Sequence, residues 1–225
     1  MKNLVLLNET DICDYDILHE DAVGMGQKQI CVRGPYFMYD KKNINNRIYP
    51  RRILESQIQD FVENKVKKNL ATACGELEHS QETFVDSRKA AHRIVELVED
   101  SASNCWIGKS IILTGTPNGD ILAALLRHKT RMGMSSRGVG KLNEANSGVV
   151  DFYKLVTVDA VSEPSINKHL DAINESKQYM IDSHGIIVEM AYHSFDKKLE
   201  HLTSKDTEPL AAAVREFMQS INKKG

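Results

Sequence analysis

The sequence has little that would cross-link a chain or carry it into a membrane. Its four cysteines, Cys13, Cys31, Cys74 and Cys105, stand far apart, with neither a CxxC pair nor a zinc-ribbon spacing. A disulfide framework and a structural metal site are therefore not expected, and the thiols read as free in a reducing cytoplasm. No apolar run approaches the roughly 20 residues that a bilayer span needs, and the apolar opening at residues 1–7 is too short for a secretory signal. The expectation is a soluble intracellular protein with no membrane partner. An excess of one charge is also missing: 29 Lys and Arg face 31 Asp and Glu, a formal net charge of -2. That balance gives no global pull toward nucleic acid, so no direct nucleic-acid binding is expected. Lys65, Lys67 and Lys68 make one small basic cluster, which on a helix reads as a solvated face. Proline is scarce, five in all, and each marks a boundary: Pro35 in a strand bend, Pro50, Pro117 and Pro209 at helix starts, Pro164 at a change of character.

What is present is a length of 225 residues, enough for one well-buried core and an appendage. Residues 1–28 are acidic and carry Gly24 and Gly26, which predicts a loosely structured N-terminal segment. Residues 29–39 are β-branched and aromatic around Gly34-Pro35, a strand with a bulge. Ile53, Leu54, Ile58, Phe61, Val62 and Val66 recur at helical spacing after Pro50. Residues 95–98 and 106–114 read as strands. A second helix follows Pro117, with Ile121, Leu122, Leu125 and Leu126 as its stripe and Gly133 as its end. Residues 134–142 and 149–161 predict an antiparallel hairpin. Strands and helices mix without βαβ alternation, so the expected class is α+β rather than a doubly wound sheet. Beyond Pro164-Ser165, Ile166, Leu170 and Ile173, then Leu210, Val214, Phe217 and Ile221, predict a helical C-terminal appendage over 166–225, against a core over 29–165.

Three segments carry more polar chemistry than packing alone requires. Gly75-Glu76-Leu77-Glu78-His79 follows the first helix. Gly133-Met134-Ser135-Ser136-Arg137-Gly138 opens a strand, and it is not the GxSxG elbow of the α/β-hydrolases. Val158-Asp159-Ala160-Val161 buries an acid in an apolar strand, which is costly unless the acid is paired. A serine hydroxyl needs a base to take its proton, and the base works better when an acid holds its other nitrogen. Ser135, His79 and Asp159 can fill those roles, with Asp86 as the reserve acid and Ser136 as the neighbouring hydroxyl. Glycines beside the serine leave room for a substrate backbone, and Arg137 and Gly138 are the candidates for stabilising an oxyanion.

These motifs, together with Asn46-Arg47-Ile48-Tyr49-Pro50-Arg51-Arg52, resemble in type and order the prohead core proteases of T-even-like phages, from about residue 33 to 165. The resemblance implies serine peptidases related in fold to the herpesvirus assemblins, with a compact, mostly antiparallel, β-barrel-like core and surrounding helices. It implies action in the host cytoplasm inside the immature capsid, on scaffold and capsid precursor proteins and on the chain itself. His79 matches the family histidine and Ser135 the first serine of its Ser-Ser-Arg-Gly segment; Asp159 rests on the strand match. Ser80 stands where a proline is expected. Cleavage after glutamate, two positions beyond an aliphatic residue, is implied as well, and Glu9, Glu175 and Glu189 near the ends fit that pattern. No cofactor is implied, and an oligomer is compatible. Two alternatives stay open. One is a metal-dependent hydrolase using Glu76, Glu78, His79, Asp86 and His92, although no HExxH spacing occurs. The other is a non-catalytic capsid scaffold protein with a helical working tail.

Overall fold

The periodic segments resolve into antiparallel strands and two short helices in the computed structural model, which describes residues 4–10, 15–21, 28–143, 148–162, 179–181, 186–189 and 214. In chain order the strands are β1 (Val5–Thr10), β2 (Asp16–Asp21), β3 (Lys28–Met38), β4 (Cys74–Glu76), β5 (Ala90–Asp100), β6 (Cys105–Ile112), β7 (Gly133–Leu142), β8 (Val150–Val161), β9 (Tyr179–Ile181) and β10 (Ile187–Glu189). Helix α1 (Arg51–Phe61) lies between β3 and β4, and α2 (Pro117–Arg127) between β6 and β7. Five strands pair in the order β2-β3-β6-β5-β4 and three in the order β1-β7-β8, while β9 and β10 form a small ribbon. Every ladder is antiparallel. A parallel bridge between Leu77 and Ala160 stitches the end of β4 to β8, joining the two larger sheets beside the site.

Local sequence explains the helices. Pro50 lacks an N–H that would be orphaned there anyway, and α1 then buries Ile53, Leu54, Ile58 and Phe61 along one face. The chain leaves α1 through a π-helical turn, Val62–Val66. Thr116 caps α2, its hydroxyl accepting from the Gly119 N–H at 3.1 Å, with Pro117 in the first turn. Leu122, Ala123 and Leu126 face inward. Ile121, expected in that stripe, is exposed because it lies about 100° round the helix from Leu122. The helix also stops at Arg127, with Gly133 opening β7 instead. The bulge expected around Gly34-Pro35 falls between Pro35 and Phe37.

Two boundaries differ from expectation. The described residues of 1–28 include the strands β1 and β2, where a loosely structured segment is expected. The physical driver is the short run Leu4, Leu6 and Leu7: Leu7 joins the main core, and Leu4 and Leu6 pack with Val139 and Tyr179 on the other face. In the segment 166–225 the described residues include the strands β9 and β10, where a helical appendage was expected; Val214 alone is described as helical there. The helix expected at Ile166, Leu170 and Ile173 lies outside the described residues. Among the described residues no helix is long and apolar enough to cross a membrane.

Candidate active site

The pairing of β7 with β8 places Ser135 directly opposite Asp159. Side chains two apart on a strand share a face, so Ser135 and Arg137 line up on β7 and Thr157 and Asp159 on β8. His79 arrives from the loop after β4. Its neighbour Glu78 sits in the left-handed region at φ 62°, an uncommon conformation outside glycine. Two bonds fix that turn: the Glu78 N–H donates to the Ala160 carbonyl at 2.8 Å, and the Ser162 N–H donates to Glu78 Oε1 at 2.8 Å. The imidazole is thereby aimed between the two strands.

His79 Nδ1 lies 2.8 Å from Asp159 Oδ2, and His79 Nε2 lies 2.5 Å from Ser135 Oγ. An ionised carboxylate only accepts, so Nδ1 carries the proton and donates to Asp159, leaving the Nε2 lone pair to accept from the Ser135 hydroxyl. Asp159 is fully buried. Burial alone would push its carboxyl up, but the hydrogen bond from His79 and the charge of Arg137 outweigh that and hold it below the usual carboxylate range. Asp159 Oδ1 also accepts from the Glu76 backbone N–H at 2.9 Å. Ser135 has no exposed surface, while about a fifth of the His79 side chain is exposed. The arrangement can transfer a proton from a serine hydroxyl to an imidazole whose second nitrogen rests on a buried anion.

The Arg137 side chain is occupied within the protein. Nε donates to Asp159 Oδ2 at 2.8 Å, Nη1 to the carbonyls of Glu82 and Phe84 at 2.7 and 3.1 Å, and Nη2 to Asp159 Oδ1 at 3.2 Å, with Glu76 Oε1 at 3.1 Å. All five N–H donors of the guanidinium are thus directed inward, and the residue is completely buried. Gly138 is a packing position: a Cβ there would come within 2.6 Å of the Lys154 carbonyl and the Tyr153 ring. Both residues are sheet-paired on two sides, to Asn8 and Leu7 of β1 and to Thr157 and Leu155 of β8. The β7–β8 register shifts between Arg137 and Gly138, an irregularity in the ladder two residues beyond Ser135.

The other candidates go elsewhere. Ser136 points to the opposite face and accepts from the Tyr153 hydroxyl at 3.1 Å. Asp86 binds Arg88 through its backbone N–H, Nε and Nη2, which removes it as the reserve acid. His92 is buried, with Nδ1 3.0 Å from the Ser110 hydroxyl, which in turn accepts from Tyr36 at 2.7 Å. Glu76, Glu78, Asp86 and His92 each face different partners. Among the described residues no three His, Cys, Asp or Glu side chains converge as metal ligands would. Glu76 is the residue that sequence reasoning undervalued. It pairs with Arg137 and its Oε1 accepts from the Asp86 N–H at 2.8 Å, anchoring the far end of the His79 loop. The i, i+2 relation of Ser135 and Arg137 was the available signal for a charge at this place; its partners come from remote segments.

Over 153 residues the chain is 35% identical to the prohead core protein protease of Enterobacteria phage T4, covering 64% of this chain and 69% of that protein. The structure of the bacteriophage T4 capsid assembly protease superposes with a TM-score of 0.65 at 30% identity, covering 72% of this chain and 99% of that one. The profile of the family described as prohead core protein serine protease matches residues 7–178, and with that span of the chain accounted for, the protein belongs to this family of capsid-assembly peptidases.

Proposed function

We propose that the chain is a serine endopeptidase of the immature phage capsid, in which Ser135 is the nucleophile, His79 the general base and then acid, and Asp159 the group that orients and stabilises the imidazolium. The observation that carries this reading is the continuous contact from Ser135 Oγ through both ring nitrogens of His79 to the buried Asp159 carboxylate. Ser135 attacks a peptide carbonyl while its proton passes to His79 Nε2. The developing imidazolium is held by Asp159, and His79 then protonates the leaving amine. Water repeats the sequence to release the acyl group. Arg137 and Glu76 position the acid and the loop without touching the substrate.

Substrates on this reading are the scaffold and capsid precursor proteins of the prohead, and the chain itself, cut after glutamate. The joining of the two sheets at Leu77 and Ala160 supports a barrel-like core that reaches from β1 to β8. Glu9 is an unsuitable self-cleavage point, because it sits within β1 beside the fully buried Leu7 and cutting there would require local unfolding of a core strand. Glu175, which lies outside the described residues, is the favoured place for removal of the tail. The test is incubation of purified protein followed by fragment masses. Wild type yields an end after Glu175, whereas Ser135→Ala and His79→Ala yield none and keep their far-UV circular dichroism. Ser136→Ala retains cutting. Fragments that persist in Ser135→Ala would belong to another protease.

A further inference from the structure

The fully buried His92 takes no part in the proton transfer at Ser135, and its surroundings leave one polar atom without a bond. His92 Nδ1 lies 3.0 Å from Ser110 Oγ, which accepts from the Tyr36 hydroxyl at 2.7 Å. Nε2 is equally buried and, among the described residues, has no hydrogen-bond partner. Native interiors keep few such atoms, and each calls for a physical reason. The reason lies in what the ring edge rests on. A Cβ added to Gly75 would stand 2.3 Å from His92 Nε2 and 2.0 Å from the Val158 carbonyl oxygen. The missing side chain lets ring and carbonyl meet over the Gly75 backbone, a close approach that any other residue would block.

The hydrogen-bond chain decides where the imidazole proton sits. Burial pushes the Tyr36 phenol up and His92 down to about 4, so both are neutral near pH 7 and the ring carries one N–H. Tyr36 donates to Ser110, and the Ser110 proton is left for the Nδ1 lone pair. The ring proton is then on Nε2, beside the Val158 carbonyl without the geometry of a full hydrogen bond. The opposite order would strand the Tyr36 proton and set the Nε2 lone pair against a carbonyl oxygen. Both backbones under the ring lead to the acid. Val158 directly precedes Asp159, and Gly75 directly precedes Glu76, whose N–H donates to Asp159 Oδ1 at 2.9 Å. Gly75 pairs with His92 between β4 and β5, and the register shifts before Glu76, an irregularity that re-aims the groups beside it. The Thr157 hydroxyl also ties β8 to β4, donating to the Cys74 carbonyl at 2.7 Å.

We propose that His92 is a positioning residue for Asp159: fixed as the Nε2–H tautomer by Tyr36 and Ser110, it holds the Val158 carbonyl over Gly75 and so sets the carboxylate in place for His79. It touches neither substrate nor the reacting atoms. The inference rests on the endopeptidase reading for its effect on rate, while its structural half is read without turnover. The test uses the full chain with isotopically labelled histidine. Long-range proton–nitrogen spectra at pH 7 should show His92 protonated on Nε2 and bare on Nδ1, and His79 with a low-field Nδ1 proton on Asp159. His92→Asn, too short to reach the Val158 carbonyl, should shift or lose that His79 proton. His92→Gln, whose amide N–H can reach it, should restore the signal. Labelling of Ser135 by a fluorophosphonate should slow about a hundredfold in His92→Asn, the scale of a misplaced reacting group, and recover to within about fivefold in His92→Gln. Ser110→Ala keeps the ring and carries the same test if His92→Asn does not fold, with a mixed His92 tautomer and slower labelling expected. An Nδ1–H tautomer in wild type, an unmoved His79 proton in folded His92→Asn, equal labelling of the Asn and Gln variants, or wild-type behaviour of Ser110→Ala on both counts would overturn the proposal. The two readings separate. No labelling of wild type, with the His79 proton still answering to His92, removes the peptidase and leaves the positioning; full labelling of wild type and His92→Asn alike removes the positioning and leaves the peptidase.

Discussion

At the scale of single residues, Asp159 shows how much a buried charge can be asked to do. It accepts from His79, from Arg137 and from the Glu76 backbone, so its ionised form is stabilised on every side. Its folded value lies below the unfolded one, so its contribution to stability is present above the unfolded carboxylate range and is lost as pH falls through the folded value. Asp159→Asn should leave Ser135 in place but lower turnover by roughly three to four orders of magnitude, since the amide orients the ring without stabilising an imidazolium. Steady-state kinetics on a peptide substrate checks this; a loss under tenfold would remove the acid from the mechanism. His92 acts in the same direction for a different reason. Burial holds it down to about 4, the nearby Asp159 opposing, so the unfolded chain binds its proton first on acidification. Stability on this account falls as pH drops from 6.5 to about 4, by roughly 3 kcal/mol for a shift of this size. Urea unfolding of wild type and His92→Asn across that window should show the extra slope only in wild type.

At the scale of elements, the meeting of β4, β7 and β8 depends on Arg137. One guanidinium bridges the acid on β8, Glu76 on β4 and the carbonyls of the loop at 82 and 84. Removing one member of a buried ion set leaves the others uncompensated. Arg137→Met should therefore cost about 3–5 kcal/mol in chemical denaturation, far more than loss of a surface pair. A cost below about 1 kcal/mol would show that the network is not structural. Elements were readable from sequence where a period was long enough: α1 and the β7–β8 pair follow directly from apolar spacing. The short strands β1 and β4 offer no alternation to read, because β4 is buried throughout and Leu6 and Leu7 of β1 are buried on opposite faces. Ser135, His79 and Asp159 were named from motifs, whereas the role of Arg137 was hidden because its partners lie far away in the chain and its donors are met by loop carbonyls.

At the scale of the whole molecule, the site exists only when both sheets are joined. His79 comes from one side of the Leu77–Ala160 bridge and Ser135 and Asp159 from the other, with 56 and 80 positions of chain between the bonded residues. Such non-local closure leaves no local sequence signature, and it explains why motifs rather than periodicity located the reacting groups. It also makes the contact between Ser135 and His79 the central claim, since everything else in the molecule serves to produce it. The most direct measurement is covalent labelling of the folded protein with a serine-directed fluorophosphonate, followed by peptide mapping by mass spectrometry. One adduct per chain, on Ser135, is expected in wild type and Ser136→Ala, with labelling slowed by at least roughly two orders of magnitude in His79→Ala. An adduct on Ser136 or elsewhere, or one that forms as fast without His79, would contradict the account.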